Sequence, residues 1–259
     1  MDPSTKYNVP ALERAHRIIS LIADHPSRWK LIDLSRKLDI NKSSMYSLLQ
    51  TMERLGWLNK DESDHYELGS FFGRTGALYF SQFDLVSLFH REGAIVRDRI
   101  QETLQLGRLD GGDVFYLAKV EAPSSVKIRS EPGMTWSAYA TGLGKAMLAE
   151  LSDSEIALLY PQEKLPSFTP NTIATPVELI EQLANVRESG IAFDEQEAVP
   201  GFSCIAAPIR GADGRVIAAV SCSIPQSNWA HKKEQVIAEI TSLAKLLSHE
   251  SILLDRGRS

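Results

Sequence analysis

The segment from Lys42 to Arg54 carries side chains suited to contact nucleic acid. One side of its helical repeat holds short hydrogen-bonding groups, an aromatic ring and two cations, namely Lys42, Ser43, Ser44, Tyr46, Ser47, Gln50, Thr51 and Arg54. Hydroxyl and amide groups can bond to base edges or phosphate oxygens, and Lys and Arg neutralise phosphate. A solvated helix face usually pairs Glu with Lys, but this face has no carboxylate before Glu53. The pattern therefore favours a DNA-reading helix over a plain surface helix.

The chain has two cysteines, Cys204 and Cys222, of which Cys204 is the candidate nucleophile. A cysteine nucleophile needs a base such as histidine, and none of the six histidines lies in a motif with Cys204. The chain has neither a glycine-rich phosphate loop nor a Cys/His set with zinc spacing. We therefore expect no enzyme activity, no cofactor, no metal and two reduced thiols. A cysteine-dependent enzyme is the less favoured alternative.

The composition bounds the class of protein. The chain has 259 residues, of which 43% are hydrophobic and 24% charged, as in ordinary soluble domains. No apolar stretch reaches the roughly 18 residues needed to cross a bilayer, and the N-terminus lacks an export pattern. We therefore expect a cytoplasmic protein that does not associate with membranes.

The charge is divided unevenly along the chain. The net charge is −5, yet residues 8–60 hold nine basic and five acidic side chains, a local net of +4. From residue 70 onward 18 basic side chains face 23 acidic ones. A basic head on an acidic body fits a phosphate-facing module joined to a second module.

The elements that would position the DNA-reading face are three short helices. Apolar residues recur at helical spacing from Leu12 to Ile22, then from Leu31 to Leu38, then from Met45 to Leu55. Pro10 suits the first turn of the first helix, Asn41 can cap the third helix, and Gly56 can end it. The tight link between the last two helices predicts a helix-turn-helix.

Two short runs follow the third helix around a polar turn. Trp57-Leu58 and His65–Gly69 alternate about residues 60–64, which predicts a β-hairpin, here a wing. The tip of this wing is acidic, which weakens the case for strong wing contacts with DNA. His65 at its edge is as well explained as a plain strand residue.

The body of the chain mixes strands and helices. Helices are expected near Asp84–Glu102, Thr141–Leu151, Ser152–Leu159, Thr175–Ser189 and Glu234–Leu254. Strands are expected at Thr103–Leu109, Val114–Val120, Val126–Arg129, Ile191–Asp194, Ser203–Ile209 and Val216–Ser223. An antiparallel core with flanking helices reads as an α+β fold. A helix over residues 70–81, rich in Phe and Tyr, would join head to body and suggests a dimer surface; the alternative is that its aromatics pack on the same chain.

Several ordered motifs resemble one family. In the head these run from Leu12-Glu13-Arg14-Ala15 through Asn41–Ser44 and Leu55-Gly56-Trp57 to Tyr66–Gly69. In the body they are Ala140–Ala149, Thr172-Ile173, Arg187–Gly190 and Cys204-Ile205-Ala206-Ala207-Pro208-Ile209. Together they resemble the IclR-type bacterial transcriptional regulators over nearly the whole chain. Ser47 stands where the family often has Arg, so site preference cannot be carried over.

The resemblance implies a fold, a partner and a pocket. The fold is a winged helix-turn-helix (1–69), a linker helix (70–83) and a GAF-like α/β effector-binding domain (84–259). The implied partners are a double-stranded DNA operator, a small carboxylate effector and a second copy of the chain, in a homodimer or a dimer of dimers. We expect a transcriptional repressor, with an activator as the alternative.

The same resemblance implies the residues of the effector pocket. The family's pattern of an Asp, a Cys and two Ser matches Asp194, Cys204, Ser221 and Ser223, together with backbone groups near Ala140, Thr141 and Gly142. On a strand Ser221 and Ser223 share one face, and S–H and O–H groups can bind a carboxylate without a cation. The sequence departs from the family at Ala138-Tyr139, and with Met134 and Trp136 nearby this suggests aromatic walls that suit a ring-bearing acid. Purely structural roles are the alternatives: Cys204 would be a small buried hydrophobic residue, Asp194 would cap a local turn, and the two serines would bond to backbone groups.

Overall fold

The computed structural model describes residues 9–81, 84–123 and 128–256. The chain divides into two compact units, Met1–Gln82 and Phe83–Ser259. Within the described ranges no helix is both long and apolar enough to span a bilayer.

Three helices form most of the first unit: α1 (Pro10–Asp24), α2 (Leu31–Leu38) and α3 (Lys42–Arg54). The helical spacing of apolar residues places Ile18, Leu34 and Leu49 fully inside a common core. The side chain of Asn41 accepts a hydrogen bond from the Ser44 N–H at 2.8 Å, so Asn41 caps α3 as the sequence predicts.

A hairpin and a fourth helix complete this unit. Strands β1 (Leu58–Lys60) and β2 (Tyr66–Leu68) pair antiparallel, and α4 (Ser70–Ser81) follows them. Gly56 adopts a φ of +71° after α3, a conformation that favours glycine and ends the helix. The predicted helix-turn-helix and wing are confirmed.

The second unit is built on one antiparallel sheet. Within its described residues the sheet has six strands in the order β5-β4-β3-β8-β7-β6. The strands are β3 (Thr103–Asp110), β4 (Asp113–Val120), β5 (Thr135–Ser137), β6 (Ala192–Glu195), β7 (Phe202–Arg210) and β8 (Val216–Pro225). The helices are α5 (Asp84–Ile100), α6 (Gly142–Leu148), α7 (Asp153–Leu159), α8 (Pro176–Ser189) and α9 (Gln226–Arg256). The predicted α+β class is confirmed.

Helix α6 packs on β7, β8 and β3, and the 3₁₀ turn before it, Ala138–Ala140, contacts α6 and β4. The Cβ of an alanine at Gly142 would lie 3.4 Å from that of Ala206 and 3.5 Å from that of Cys204. Helix α6 therefore lies against the sheet face that carries Cys204. Helix α9 also packs on β7 and β8, and the side chain of Cys222 in β8 is fully buried.

One predicted strand was wrong and one real strand was missed. Residues 126 and 127 of the predicted strand Val126–Arg129 lie outside the described residues, and residues 128 and 129 are not in a strand. The short strand β5 pairs with β4 through Ser137 and Asp113. Three residues are too few to carry an alternating pattern, so the sequence gives no sign of β5.

Candidate DNA-binding helix and effector cavity

The polar face of α3 is exposed in the first unit. Ser44 is partly buried beside the cap, whereas the other predicted DNA-contacting side chains lie on the surface: Lys42, Ser43, Tyr46, Ser47, Gln50 and Arg54. Tyr46 is 56% exposed, so its ring and hydroxyl lie at the surface of the helix. The face can present donors, acceptors and two cations to a groove.

Local hydrogen bonds already engage part of this face. The Ser47 hydroxyl donates to the Ser43 carbonyl at 3.1 Å, and the Thr51 hydroxyl donates to the Ser47 carbonyl at 2.9 Å. The Ser43 hydroxyl donates to the Asn41 side chain at 2.9 Å. These three hydroxyl groups must exchange their local bonds, or use their remaining lone pairs, to contact DNA.

The acidic side chains of the wing tip form hydrogen bonds and ion pairs within the same loop. The Asp61 carboxylate accepts from the N–H groups of Ser63 and His65, each at 2.8 Å, and the bond from the His65 N–H lowers the pKa of Asp61. Lys60 pairs with Asp64 at 2.6 Å. The cation and the imidazole of this tip face carboxylates of the same loop.

The aromatics that begin α4 pack within their own unit. The ring of Trp57 lies 5.7 Å from that of Phe71 and 6.4 Å from that of Phe72. Leu78 is 66% exposed, and the side chains of Tyr79 and Phe80 lie outside the described ones. For Phe71 and Phe72 the structure therefore agrees with the alternative prediction, in which the aromatic side chains pack on the same chain.

A cavity of about 30 Å³ lies between the sheet and α6 in the second unit. Its floor is polar and its walls are aromatic and aliphatic. The lining residues are Gln105, Tyr116, Ile128, Ser130, Trp136, Thr141, Gly142, Leu143, Asp194, Ala198, Val199, Phe202, Cys204, Ser221 and Ser223. This volume holds one or two water molecules, so a larger ligand would have to move side chains of the lining as it binds.

Strand register brings the polar floor together. Asp194 on β6 lies opposite Cys204 on β7, and Cys204 lies opposite Ser223 on β8. Ser221, two residues earlier on β8, lies opposite Gln105 on β3. Because opposite residues in a ladder share a sheet face, these side chains all face the cavity.

Hydrogen bonds join the floor into one network. The Gln105 Nε2 donates to Ser223 Oγ at 2.9 Å and to Ser130 Oγ at 3.4 Å. The Ser221 hydroxyl donates to Gln105 Oε1 at 3.1 Å, and Cys204 Sγ lies 3.3 Å from Ser223 Oγ. The serines bond to side chains of the cavity, not to backbone groups.

Burial sets the charge of the floor. Burial raises the pKa of Asp194 to about 6. The hydrogen bond that the Glu197 N–H donates to Asp194 Oδ1, at 2.6 Å, opposes this and lowers the pKa. Burial also raises the pKa of the Cys204 thiol well above its usual range, and the nearby Asp194 carboxylate raises it further. Burial likewise raises the pKa of Tyr116. The floor therefore presents neutral O–H and S–H groups and one carboxyl that titrates near pH 6.

A buried ion pair lies behind this floor. Lys145 Nζ is 2.5 Å from Glu197 Oε1 and donates to Gln182 Oε1 at 3.1 Å. The backbone N–H groups of Glu197 and Ala198 both donate to Asp194 Oδ1. The ion pair holds the turn that fixes the Asp194 carboxylate.

The structure gathers seven of the ten predicted pocket residues around the cavity: Trp136, Thr141, Gly142, Asp194, Cys204, Ser221 and Ser223. Met134, Tyr139 and Ala140 are not among the lining residues. The Tyr139 hydroxyl instead donates to the Pro166 carbonyl at 2.6 Å, and its ring stacks on Phe168 at 6.1 Å. Ala140 is fully buried in the neighbouring core, and Met134 pairs through its backbone carbonyl with the Tyr116 N–H.

Helix α6 offers fewer free amides than the sequence suggests. The Thr141 N–H donates to the Ala138 carbonyl at 3.3 Å, and the Thr141 side chain accepts from the Gly144 N–H at 3.1 Å. The amide of Thr141 is therefore already engaged inside the protein. Sequence reasoning missed Gln105, Tyr116 and Ser130, which complete the cavity floor.

Comparison with known proteins identifies the family. The profile of the bacterial transcriptional regulator IclR C-terminal domain matches residues 77–249, and that of the IclR helix-turn-helix domain matches residues 11–62. The chain belongs to the IclR family of bacterial transcriptional regulators. The resemblance drawn from the motifs is confirmed.

The IclR relatives match over most of their length. The regulator XynR of Escherichia coli K12 is 29% identical over 93% of this chain and 98% of its own. BhcR of Paracoccus denitrificans is 31% identical over 84% of this chain and 78% of its own. The repressor AllR of Escherichia coli K12 is 29% identical over 87% of this chain and 84% of its own.

Solved IclR structures share the fold. The Thermotoga maritima IclR has a TM-score of 0.77 and 26% identity, covering 93% of this chain and 98% of that one. An IclR homologue from Microbacterium hydrocarbonoxydans, crystallised with 4-hydroxybenzoate, has a TM-score of 0.80 and 21% identity over 93% and 98% of the two chains. Proteins with the helix-turn-helix of this family bind DNA, and this chain is a transcriptional regulator of that family.

Proposed function

We propose that this regulator is a repressor whose operator binding is changed by a small organic acid, bound in the cavity of residues 84–259. The observation that carries the proposal is the cavity floor, on which Cys204, Ser221 and Ser223 gather O–H and S–H groups without a cation. Such groups can hold a carboxylate. The similarity to AllR, which is a repressor, supports the sign of regulation.

We propose an aromatic acid as the effector class. Trp136, Tyr116 and Phe202 line the cavity, and their rings can pack against a ring of the ligand. An IclR homologue of the same fold is complexed with 4-hydroxybenzoate, which supports this choice.

The DNA contacts are proposed to come from the exposed face of α3. Lys42 and Arg54 contact phosphates, and Ser43, Ser44, Tyr46, Ser47 and Gln50 face the groove. A second copy of the chain would supply the second half-site that such modules require. The assembly is proposed to be a homodimer or a dimer of dimers.

The experiment pairs calorimetry with a mobility-shift assay on the full chain. Benzoate-type acids are expected to bind and to change the affinity for operator DNA, since a ligand that favours one arrangement shifts the population. Ser223→Ala should abolish the response to acid and leave operator binding intact. Gln50→Ala should weaken operator binding and leave the binding of acid, measured by calorimetry, intact. Tight binding of glyoxylate or pyruvate with none of benzoate-type acids would reject the aromatic class.

A cysteine-dependent enzyme is the competing function, and we propose that Cys204 is not a nucleophile. The thiolate is the reactive form, and burial disfavours it here. Purified protein is therefore expected to leave candidate acids unchanged. Turnover that is lost in Cys204→Ala would decide for the enzyme.

A further inference from the structure

Gln105 is the buried centre of the cavity floor, and its two ends contact different hydroxyls. It is 2% exposed and lies on β3 opposite Ser221 of β8. Its Nε2 is 2.9 Å from Ser223 Oγ, and its Oε1 is 3.1 Å from Ser221 Oγ. One side chain thus holds both serines at once.

The two ends of an amide have opposite hydrogen-bonding roles. The NH₂ group only donates and the carbonyl oxygen only accepts. Ser221 must therefore donate its hydrogen to Oε1, and Ser223 must accept with an oxygen lone pair from Nε2. The remaining N–H of Nε2 faces Ser130 Oγ at 3.4 Å, so both ends of the amide have partners.

This arrangement gives the two serines different hydrogen-bonding roles toward a ligand. The hydrogen of Ser221 is committed to Gln105, which leaves its lone pairs to accept from the cavity. The hydrogen of Ser223 stays free to donate, either to Cys204 Sγ at 3.3 Å or to a ligand atom that takes its place. A serine on a protein surface would rotate between these roles.

We propose that Gln105 is a specificity-determining residue that makes Ser223 a donor and Ser221 an acceptor. The cavity then selects acids that also carry a hydroxyl, with the carboxylate at Ser223 and the hydroxyl donating to Ser221. The proposal rests on the proposed binding of organic acids and names the class more closely. Gln105 acts through the serines and is a positioning residue for the ligand.

The spacing of the serines fits such a ligand. Residues two apart on one strand lie about 6.8 Å from each other. A rigid ring with a carboxylate and a hydroxyl at opposite ends spans a distance of this order. The Trp136 and Phe202 side chains lie in the lining where they can pack against that ring.

The test is titration calorimetry of the full chain with benzoate and with 4-hydroxybenzoate. One added net hydrogen bond makes the hydroxylated acid tighter by roughly three- to tenfold. In Gln105→Met this preference should fall toward one, because the serines lose the partner that orients them. Gln235→Met makes the same change on the exposed side of α9 and should keep the preference.

A second variant tests the route through Ser221. Ser221→Ala removes the acceptor, so it should weaken 4-hydroxybenzoate and leave benzoate unchanged. In the Gln105→Met background the same substitution should have little further effect, since non-additivity marks coupled residues. Because Ser221→Ala is a small change, it still tests the proposal if Gln105→Met does not fold.

Failure of the inference differs from failure of the proposed function. If both acids bind and the preference survives in Gln105→Met and Ser221→Ala, the role of Gln105 is wrong and the effector class stands. If wild type binds both acids equally, the inference is also rejected. If neither acid gives heat of binding, the proposed effector class is wrong and the inference falls with it.

Discussion

Cys204 Sγ lies 3.3 Å from Ser223 Oγ on the next strand of the sheet. On its other side Cys204 is paired in register with Asp194 of β6. The thiol therefore lies between a hydroxyl and a carboxyl on the cavity floor. Burial and the neighbouring carboxyl both raise its pKa and favour the protonated thiol, which is a weak hydrogen-bond donor and less nucleophilic than a thiolate.

Thiol reagents should label the folded protein slowly. Burial raises the pKa of Cys204 and of Cys222 well above the usual range, and each pKa unit lowers the thiolate fraction about tenfold. Stopped alkylation with iodoacetamide followed by mass spectrometry should find both thiols slow at neutral pH and fast in denaturant. Rapid labelling of Cys204 in native protein would contradict this protonation state.

The cations of α3 should set the salt dependence of DNA binding. Lys42 and Arg54 are exposed at opposite ends of the helix. If each neutralises a phosphate, Lys42→Ala and Arg54→Ala should each make the negative slope of log affinity against log salt shallower by about 1. Fluorescence anisotropy with a DNA duplex measures the slope. Lys245→Ala, on the exposed side of α9, is the matched control and should leave the slope unchanged.

Asp194 should make the stability depend on pH. Its pKa is about 6 in the folded chain and 3.8 ordinarily, so folding favours the protonated carboxyl. Its contribution is fully present below about pH 4, falls as the pH rises to about 6, and is constant above that value. The loss amounts to roughly 1.4 kcal/mol for each pKa unit of the shift.

Asp194→Asn removes this titration and keeps a neutral side chain. Urea unfolding from pH 4 to 7 should show the variant gaining free energy of unfolding relative to wild type as the pH rises. Asp213→Asn, in the exposed turn before β8, controls for the loss of one carboxyl. An equal pH profile for wild type and Asp194→Asn would mean that folding does not shift the pKa of this carboxyl.

Gly144 should not tolerate a side chain. A Cβ at this position would clash with the Ala138 carbonyl oxygen, so Gly144→Ala must push α6 away from the 3₁₀ turn. We expect a loss of about 1–3 kcal/mol in the free energy of unfolding and weaker binding of acids in the adjoining cavity.

Gly73 in α4 is the matched control for Gly144. A Cβ at Gly73 would meet no described atom within 4 Å, so Gly73→Ala should raise the free energy of unfolding by about 0.5–1 kcal/mol. Thermal and urea unfolding of both variants measure the difference. A neutral Gly144→Ala would show that the turn before α6 can give way.

Helix positions were predictable because their signals are local. Ser152 caps α7 and exchanges hydrogen bonds with Glu155, and Thr175 accepts from the Glu178 N–H at the start of α8. Each of these bonds joins residues three apart in sequence, so the pattern of residues contains the whole interaction. Their predicted boundaries agree with the observed ones within a few residues.

The cavity was predictable only in part because its contacts are distant in sequence. Gln105 alternates with Leu104 and Leu106 on a strand, and that alternation usually marks a polar side chain facing water. Only the pairing of β3 with β8 shows that Gln105 faces Ser221. The 3₁₀ turn at Ala138–Ala140 likewise sends Tyr139 toward Pro166, which spacing alone could not indicate.

The pairing of β3 with β8 also fixes when the cavity can exist. The bond between Gln105 and Ser223 joins residues 118 positions apart, and β8 is the last strand among the described residues of the second unit. During synthesis the floor stays open until β8 has left the ribosome and inserted between β3 and β7. A nascent or truncated chain that stops before β8 can have a folded N-terminal unit and still lack the cavity in which we propose that the effector binds.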